Sequence, residues 1–164
     1  MLLLVDGVHY NDLILKTVKS LSKGSICYIT LNKTYESLKE HFKKNRINLK
    51  NIVFIDAISP TLKKTPKEMP NCYFVSSPAA LTELAIVIDK FLEHKFDYLI
   101  FDSLTNLMIY QKKAHVAKFI LSVINKIRAG KTKAIFYALK VEEHEALIEE
   151  TGMFADKVIE WSSK

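Results

Sequence analysis

The chain has 164 residues, 49% of them hydrophobic and 26% charged, with a formal net charge of +6. Those proportions fit one globular domain over 1–164 that buries about two-thirds of its unfolded surface, and they exclude wholesale disorder. Every apolar run is broken by charge before the ~18 residues a membrane span requires, "MLLLV" lacks the length and basic flank of a signal peptide, and the modest positive charge permits an acidic partner without requiring one.

Taken in order, the first expected strand is Leu2–Asp6, which runs through "GVHYND" into a helix-periodic stretch. The next, Ile26–Leu31, leads into "TYESLKEHFKKN", where Tyr35, Leu38 and Phe42 share a face and lysines fill the last turn. A third strand, Ile52–Ala57, is followed by "SPTLKKTPKEMPN" (59–71), which holds three of the four prolines and no apolar period and so reads as a long surface loop. After the strand Cys72–Ser76 comes a helix with Ser77 as its N-cap, Pro78 at its first position, and Leu81, Leu84, Ala85, Ile88 and Leu92 on one side. The strand Tyr98–Asp102 precedes a helix with the stripe Val116, Phe119, Ile120, Val123, Ile124 and Ile127, stopped by Gly130. Two more strands are expected, Ala134–Leu139 and Lys157–Trp161. Most of these strands are continuously apolar rather than alternating, as strands covered on both faces of a parallel sheet are. Strand and helix in alternation predict a doubly wound, three-layer αβα domain with a mostly parallel sheet. Cys27 and Cys72 sit in apolar runs and read as buried thiols, which points to a reducing cytoplasm.

Ligands in such folds bind beyond the carboxyl ends of the strands. A phosphate-binding loop there needs G-x-x-x-x-G-K-[ST], with glycines that turn backbone N–H groups inward, a lysine for the outer phosphates and a hydroxyl for Mg²⁺. Counted from Gly7, the second glycine falls on Asp12, the lysine on Leu13 and the hydroxyl on Ile14. A literal "GKT" at Gly130-Lys131-Thr132 runs from helix into strand, the reverse of the required order. Asp102-Ser103 ends an apolar strand as a Walker B motif does, its carboxylate able to steer Mg²⁺. The same carboxylate would equally cap the turn that follows, and on this fragment both readings stand.

In order and spacing the chain resembles the core of the RecA superfamily, in its RadA/KaiC-like branch common in archaea. The similarity runs from about Leu2 to Trp161. "ICYITLNKTYESLKEHF" is similar to the branch's "YVSLEES…EL", "FDYLIFDSLTNL" to its Walker B strand "VVIDSLTAL", and "FADKVIEW" to its closing "ADGVIVL". The resemblance implies a P-loop NTPase-type sheet. It also puts the branch's catalytic glutamate on Asn32 or Lys33, neither of which can act as a base toward water.

The expectation is therefore a non-hydrolysing domain with no catalytic residue and no required cofactor, acting through a protein partner or its own oligomer. A vestigial ligand region would comprise Gly7, His9, Asn11, Asn32, Asp102 and Ser103, with Tyr10 beside His9. The alternatives are ATP binding without hydrolysis, in which Asp102 would hold the Mg²⁺, and a nucleic-acid role for the lysines of "HFKKNRINLK", "TLKKTPK", "YQKKAHVAK" and "NKIRAGKTK" if they share one face. A phospho-receiver reading rests on Asp6, Asp56 and Lys140, with Gly7 standing where a second acid is needed. The five histidines show no metal-ligand spacing, and His144 in "EEHEALIEE" reads as part of a solvated face.

Overall fold

The computed structural model describes residues 1–62 and 69–161. Seven strands, β1 (Leu2–Val5), β2 (Ile26–Thr30), β3 (Ile52–Asp56), β4 (Cys72–Phe74), β5 (Tyr98–Asp102), β6 (Lys133–Leu139) and β7 (Val158–Trp161), form one sheet in the order β4-β3-β2-β5-β6-β1-β7. Every strand pairing in it is parallel. The continuous apolar runs are explained by this arrangement, because β1 and β2 are buried along their whole length with helices on both faces.

On one face lie α1 (Tyr10–Leu21) and α2 (Tyr35–Lys44), which bury Leu13, Ile14, Val18, Leu38 and Phe42 against Tyr28, Phe54, Ile100 and Tyr137 of the sheet. The opposite face is covered by α4 (Leu81–Glu93), α5 (Leu104–Tyr110), α6 (Lys113–Ala129) and α7 (Glu145–Phe154), packed on Leu2, Leu4, Cys27, Ile29, Phe101 and Phe136. The central helices have the faces their periodicity predicts, including Tyr35, Leu38 and Phe42 of α2 and the α6 stripe from Val116 to Ile124. α2 begins at Thr34, whose side chain accepts from the Ser37 amide at 3.2 Å, and α6 ends at Gly130.

Five expectations are corrected. Residues 59–71 are not wholly a loop: a single turn, α3 (Ser59–Leu62), follows β3, and Met69 makes an antiparallel bridge with Cys72. Residues 63–68, with most of the "TLKKTPK" cluster, lie outside the described residues. α4 starts at Leu81 rather than Pro78, because 77–80 is held as a turn. The Ala80 amide donates to the Ser77 carbonyl, Glu83 accepts from the Ser76 amide at 3.1 Å, and Gln111 Nε2 takes the Ala79 carbonyl at 2.8 Å. Cys72 is only half-buried, since β4 is an edge strand, whereas Cys27 is buried as expected. The segment after Asp102 contains the short helix α5, where only a strand end and turn were expected. His144 is half-buried instead of solvated, and its Nδ1 has no partner among the described residues.

Candidate functional site

The carboxyl edge of the sheet is where the sequence places a ligand, and its first turn is short. β1 ends at Val5 and α1 starts at Tyr10, so only residues 6–9 connect them. The last five positions of the eight-residue phosphate motif, Tyr10 to Ile14, are therefore already helical. Leu13, at the lysine position, is 7% exposed and Ile14, at the hydroxyl position, is 3% exposed; both are core residues. Asp6 accepts from the His9 amide at 2.9 Å and from His9 Nδ1 at 2.8 Å. Those bonds, the backbone one foremost, hold the Asp6 carboxyl below its usual range. The chain thus sets its own carboxylate at the first turn of α1, where an anion would otherwise be drawn.

Gly7 has open space around its Cα and no positive φ. Nothing in this turn requires glycine, in contrast to a loop that wraps phosphate with its backbone. Gly7→Ala is expected to leave stability unchanged or raise it by up to about 1 kcal/mol, through the lower entropy of the unfolded chain, as read from the urea midpoint.

Asp102 closes β5 and is 0% exposed. Three donors from two other parts of the chain converge on it. Tyr10 OH, at the start of α1, donates to Oδ1. Asn32 Nδ2, just after β2, donates to the same oxygen at 2.8 Å. Tyr28 OH, from within β2, donates to Oδ2 at 2.5 Å. Burial pushes the Asp102 carboxyl above its usual range, although these hydrogen bonds pull the other way. The same burial, with the Asp102 charge beside them, raises the Tyr10 and Tyr28 phenols well above theirs. The turn carrying Asn32 is fixed in its own right: Thr30 Oγ1 donates to the Lys33 carbonyl at 2.7 Å and accepts from the Lys33 amide at 3.2 Å. Lys33 then reaches across to α1, where its Nζ donates to Asn11 Oδ1.

Of the six residues singled out, Asn32 and Asp102 meet directly. His9 is turned to Asp6, Asn11 to Lys33, and Gly7 is solvent-exposed. Ser103 is buried and pairs with Thr105, whose Oγ1 in turn accepts from the Leu139 amide at 3.0 Å. Tyr28 is the participant that motif reading misses. The available signal is a hydroxyl in the middle of an apolar strand, which must find a partner when buried. Tyr137 in β6 carries the same signal, yet its OH has no hydrogen-bond partner among the described residues; its ring meets that of Tyr10 edge-on at 5.9 Å.

The other constellations do not assemble. Asp6 directly follows β1 and Asp56 ends β3, and β2, β5 and β6 separate those two strands. Asp56 is 0% exposed and accepts from the amides of Tyr35, Ile58 and Ser59 at 2.7 to 2.9 Å, while Lys140 Nζ pairs with Glu160 at 2.9 Å. The receiver triad is therefore dispersed. Gly130-Lys131-Thr132 lies between the end of α6 and the start of β6, at the amino edge of the sheet, and Thr132 Oγ1 donates to the Phe96 carbonyl at 2.8 Å. Of the lysine clusters, "HFKKNRINLK" spans the last turn of α2 and the connection to β3 on one side of the sheet, while "YQKKAHVAK" and "NKIRAGKTK" lie at the two ends of α6 on the other. Among the described residues, no three His, Cys, Asp or Glu side chains gather as a metal site, and no helix is long and apolar enough to cross a membrane.

No family model matches the sequence, and no curated protein matches it significantly. Solved structures do. A KaiC-like protein from the hyperthermophilic archaeon Pyrococcus horikoshii superposes with a TM-score of 0.71 at 10% identity, over 97% of this chain and 68% of that one. The flagellar accessory protein FlaH from Methanocaldococcus jannaschii gives a TM-score of 0.64 at 13% identity, over 97% of this chain and 70% of that one. At these identities the likeness speaks for architecture alone: this chain has the RecA/KaiC-like α/β fold, a seven-stranded parallel sheet between two layers of helices.

Proposed function

We propose that the chain is a non-catalytic RecA/KaiC-like domain, an interaction or regulatory module that works by oligomerising or by pairing with an active relative. The observation that carries this reading is the state of Asp102. A carboxylate that steers Mg²⁺ must present an oxygen to the ion and its waters. Asp102 is 0% exposed, and both of its oxygens are taken by Tyr10, Asn32 and Tyr28. Around it, Leu13 takes the place of the phosphate-binding lysine in the core, Asp6 occupies the first turn of α1, and the Lys33 ammonium is tied to Asn11. Tyr10, Asn32 and Asp102 are instead spent, with Tyr28, on holding α1, β2 and β5 together.

What remains on offer is surface. A domain with this architecture and a closed strand edge can still present its helical faces to a neighbour, and in a RecA-like assembly it could cover a nucleotide held by another subunit. Thermal unfolding with ATP or ADP, each with and without Mg²⁺, separates this from nucleotide binding without hydrolysis. A ligand at one hundred times its dissociation constant adds about 2.7 kcal/mol to the folded state. No shift in Tm is expected under any of the four conditions. A rise of several degrees that disappears in Asp102→Asn, relative to that variant's own baseline, overturns the proposal in favour of retained nucleotide binding.

A further inference from the structure

Two features of the α4–α7 layer are unexplained by the buried lock that Tyr10, Tyr28 and Asn32 form around Asp102. One is a knob. The last two residues of α5 are exposed, Ile109 at 72% and Tyr110 at 45%, and after Gln111 the turn into α6 carries the exposed Lys112 and Lys113. Single exposed apolar residues are ordinary, but an adjacent pair this large, flanked by two lysines, leaves an apolar patch uncovered. The turn is rigidly held, because the Gln111 amide donates to the Leu107 carbonyl at 2.9 Å and its side chain to the Ala79 carbonyl at 2.8 Å. Neither lysine has a carboxylate within 4 Å among the described residues.

The other is a groove. Between the end of β6 and α7 lies a cleft of about 440 Å³ whose apolar lining is the buried Leu4, the half-buried Ile148 and the exposed Val141. Its rim carries Glu142, Glu145 and Glu149. Among the described residues the one cation lining it, Lys140, is already paired with Glu160 at 2.9 Å. The groove thus asks for an apolar side chain accompanied by positive charge, and the knob on this same chain provides that combination. The two do not meet within one molecule: Ile109 and Tyr110 stand exposed and are not among the residues that line the cleft.

We infer that the α5–α6 knob of one copy docks in the β6–α7 groove of the next, Ile109 and Tyr110 on the apolar lining and Lys112 and Lys113 against the glutamate rim. The contact is head-to-tail, so each copy keeps one free knob and one free groove, and the assembly is a ring or an open filament rather than a closed two-fold dimer. The inference rests on the proposed role as an interaction module and specifies the surface that role would use.

Sedimentation velocity of the full chain tests it at 50 mM and 500 mM NaCl. Self-association is expected at the lower salt and is expected to weaken at the higher, since the paired charges are screened. Lys112→Glu with Lys113→Glu, and separately Glu145→Lys with Glu149→Lys, are each expected to weaken it by more than about tenfold. All four residues are exposed, so folding is preserved and is checked by circular dichroism. Mixing the two double variants restores complementary charge at both surfaces and is expected to restore assembly. A wild-type chain that stays monomeric at both salt concentrations overturns the inference, as does a monomer whose groove binds an unrelated lysine-rich apolar peptide. Assembly that both variants retain also overturns it, while leaving oligomerisation through another face, and with it the interaction role, intact.

Discussion

Asp102→Ala is expected to destabilise the fold by about 3 kcal/mol, which for a chain of this size lowers Tm by roughly 10 °C. The cost comes less from the lost carboxylate than from its stranded partners. Tyr28 is 0% exposed and has no water to turn to; Tyr10 is 7% exposed, and Asn32 is half-buried. A buried donor left unpaired costs about 1–3 kcal/mol, and relief from desolvating one charge offsets part of the total. If the aspartate were instead a vestige facing solvent, its removal would change Tm by no more than a degree or two, and urea denaturation distinguishes these outcomes.

The pH dependence follows from the same environment. Because burial raises the Asp102 pKa in the folded state, that state holds the proton more tightly than the unfolded chain, where the pKa is about 3.9. Stability contributed by this group is thus greatest below about pH 4 and falls as pH rises through the folded-state pKa, levelling off above it. Asp6 and Asp97 run the opposite way, with carboxyls held low by backbone amides. The informative quantity is therefore the difference between wild type and Asp102→Asn. The stability advantage of wild type over that variant is expected to shrink between pH 4 and neutrality. A constant difference would mean that Asp102 titrates alike in both states.

The sheet was readable because both of its faces are covered: "LLLV", "ICYIT" and "YLIFD" show no alternation, and that pattern belongs to parallel strands beneath two layers. The long helices announced themselves by their stripes. α5 did not, since its seven residues follow directly on an apolar strand and bury Leu104, Thr105 and Leu107 with no polar interval to mark the change of period. α7 was obscured by its charge, with only Leu147 and Thr151 buried. At the site, the loop arithmetic located the altered positions, and Asp102 and Asn32 were both named. Their meeting was not legible, because it depends on strand register and helix placement. β2 lies beside β5 with Thr30 opposite Asp102, so Tyr28, two residues earlier, rises on the same face. Tyr10 arrives from a position 92 residues away in sequence. Local spacing has no access to either distance.

Phe54→Ala is the second large effect, expected at about 3–5 kcal/mol. Phe54 is 1% exposed and sits among three other rings: Tyr35 at 5.1 Å, Tyr28 at 5.7 Å and Phe42 at 6.1 Å between centroids. Tyr35 and Phe42 are the buried residues at either end of α2, so the ring fastens that helix to β3 along its length. Its removal leaves a cavity that β2 and β3, paired in register from Ile26 to Thr30, cannot collapse to fill. Hydrogen exchange is expected to accelerate first in α2, with α6 on the far face protected until global unfolding. Tyr28 belongs both to this cluster and to the Asp102 lock, edge-on to Phe42 at 5.6 Å while its hydroxyl holds Oδ2. Freed on one side, it can reorient on the other. The double variant Phe54→Ala with Asp102→Ala is therefore expected to lose less stability than the two single losses combined, by at least about 0.5 kcal/mol. Strict additivity would mean that the ring cluster and the carboxylate act independently, and that Tyr28 does not transmit the packing of α2 to the closed edge of the sheet.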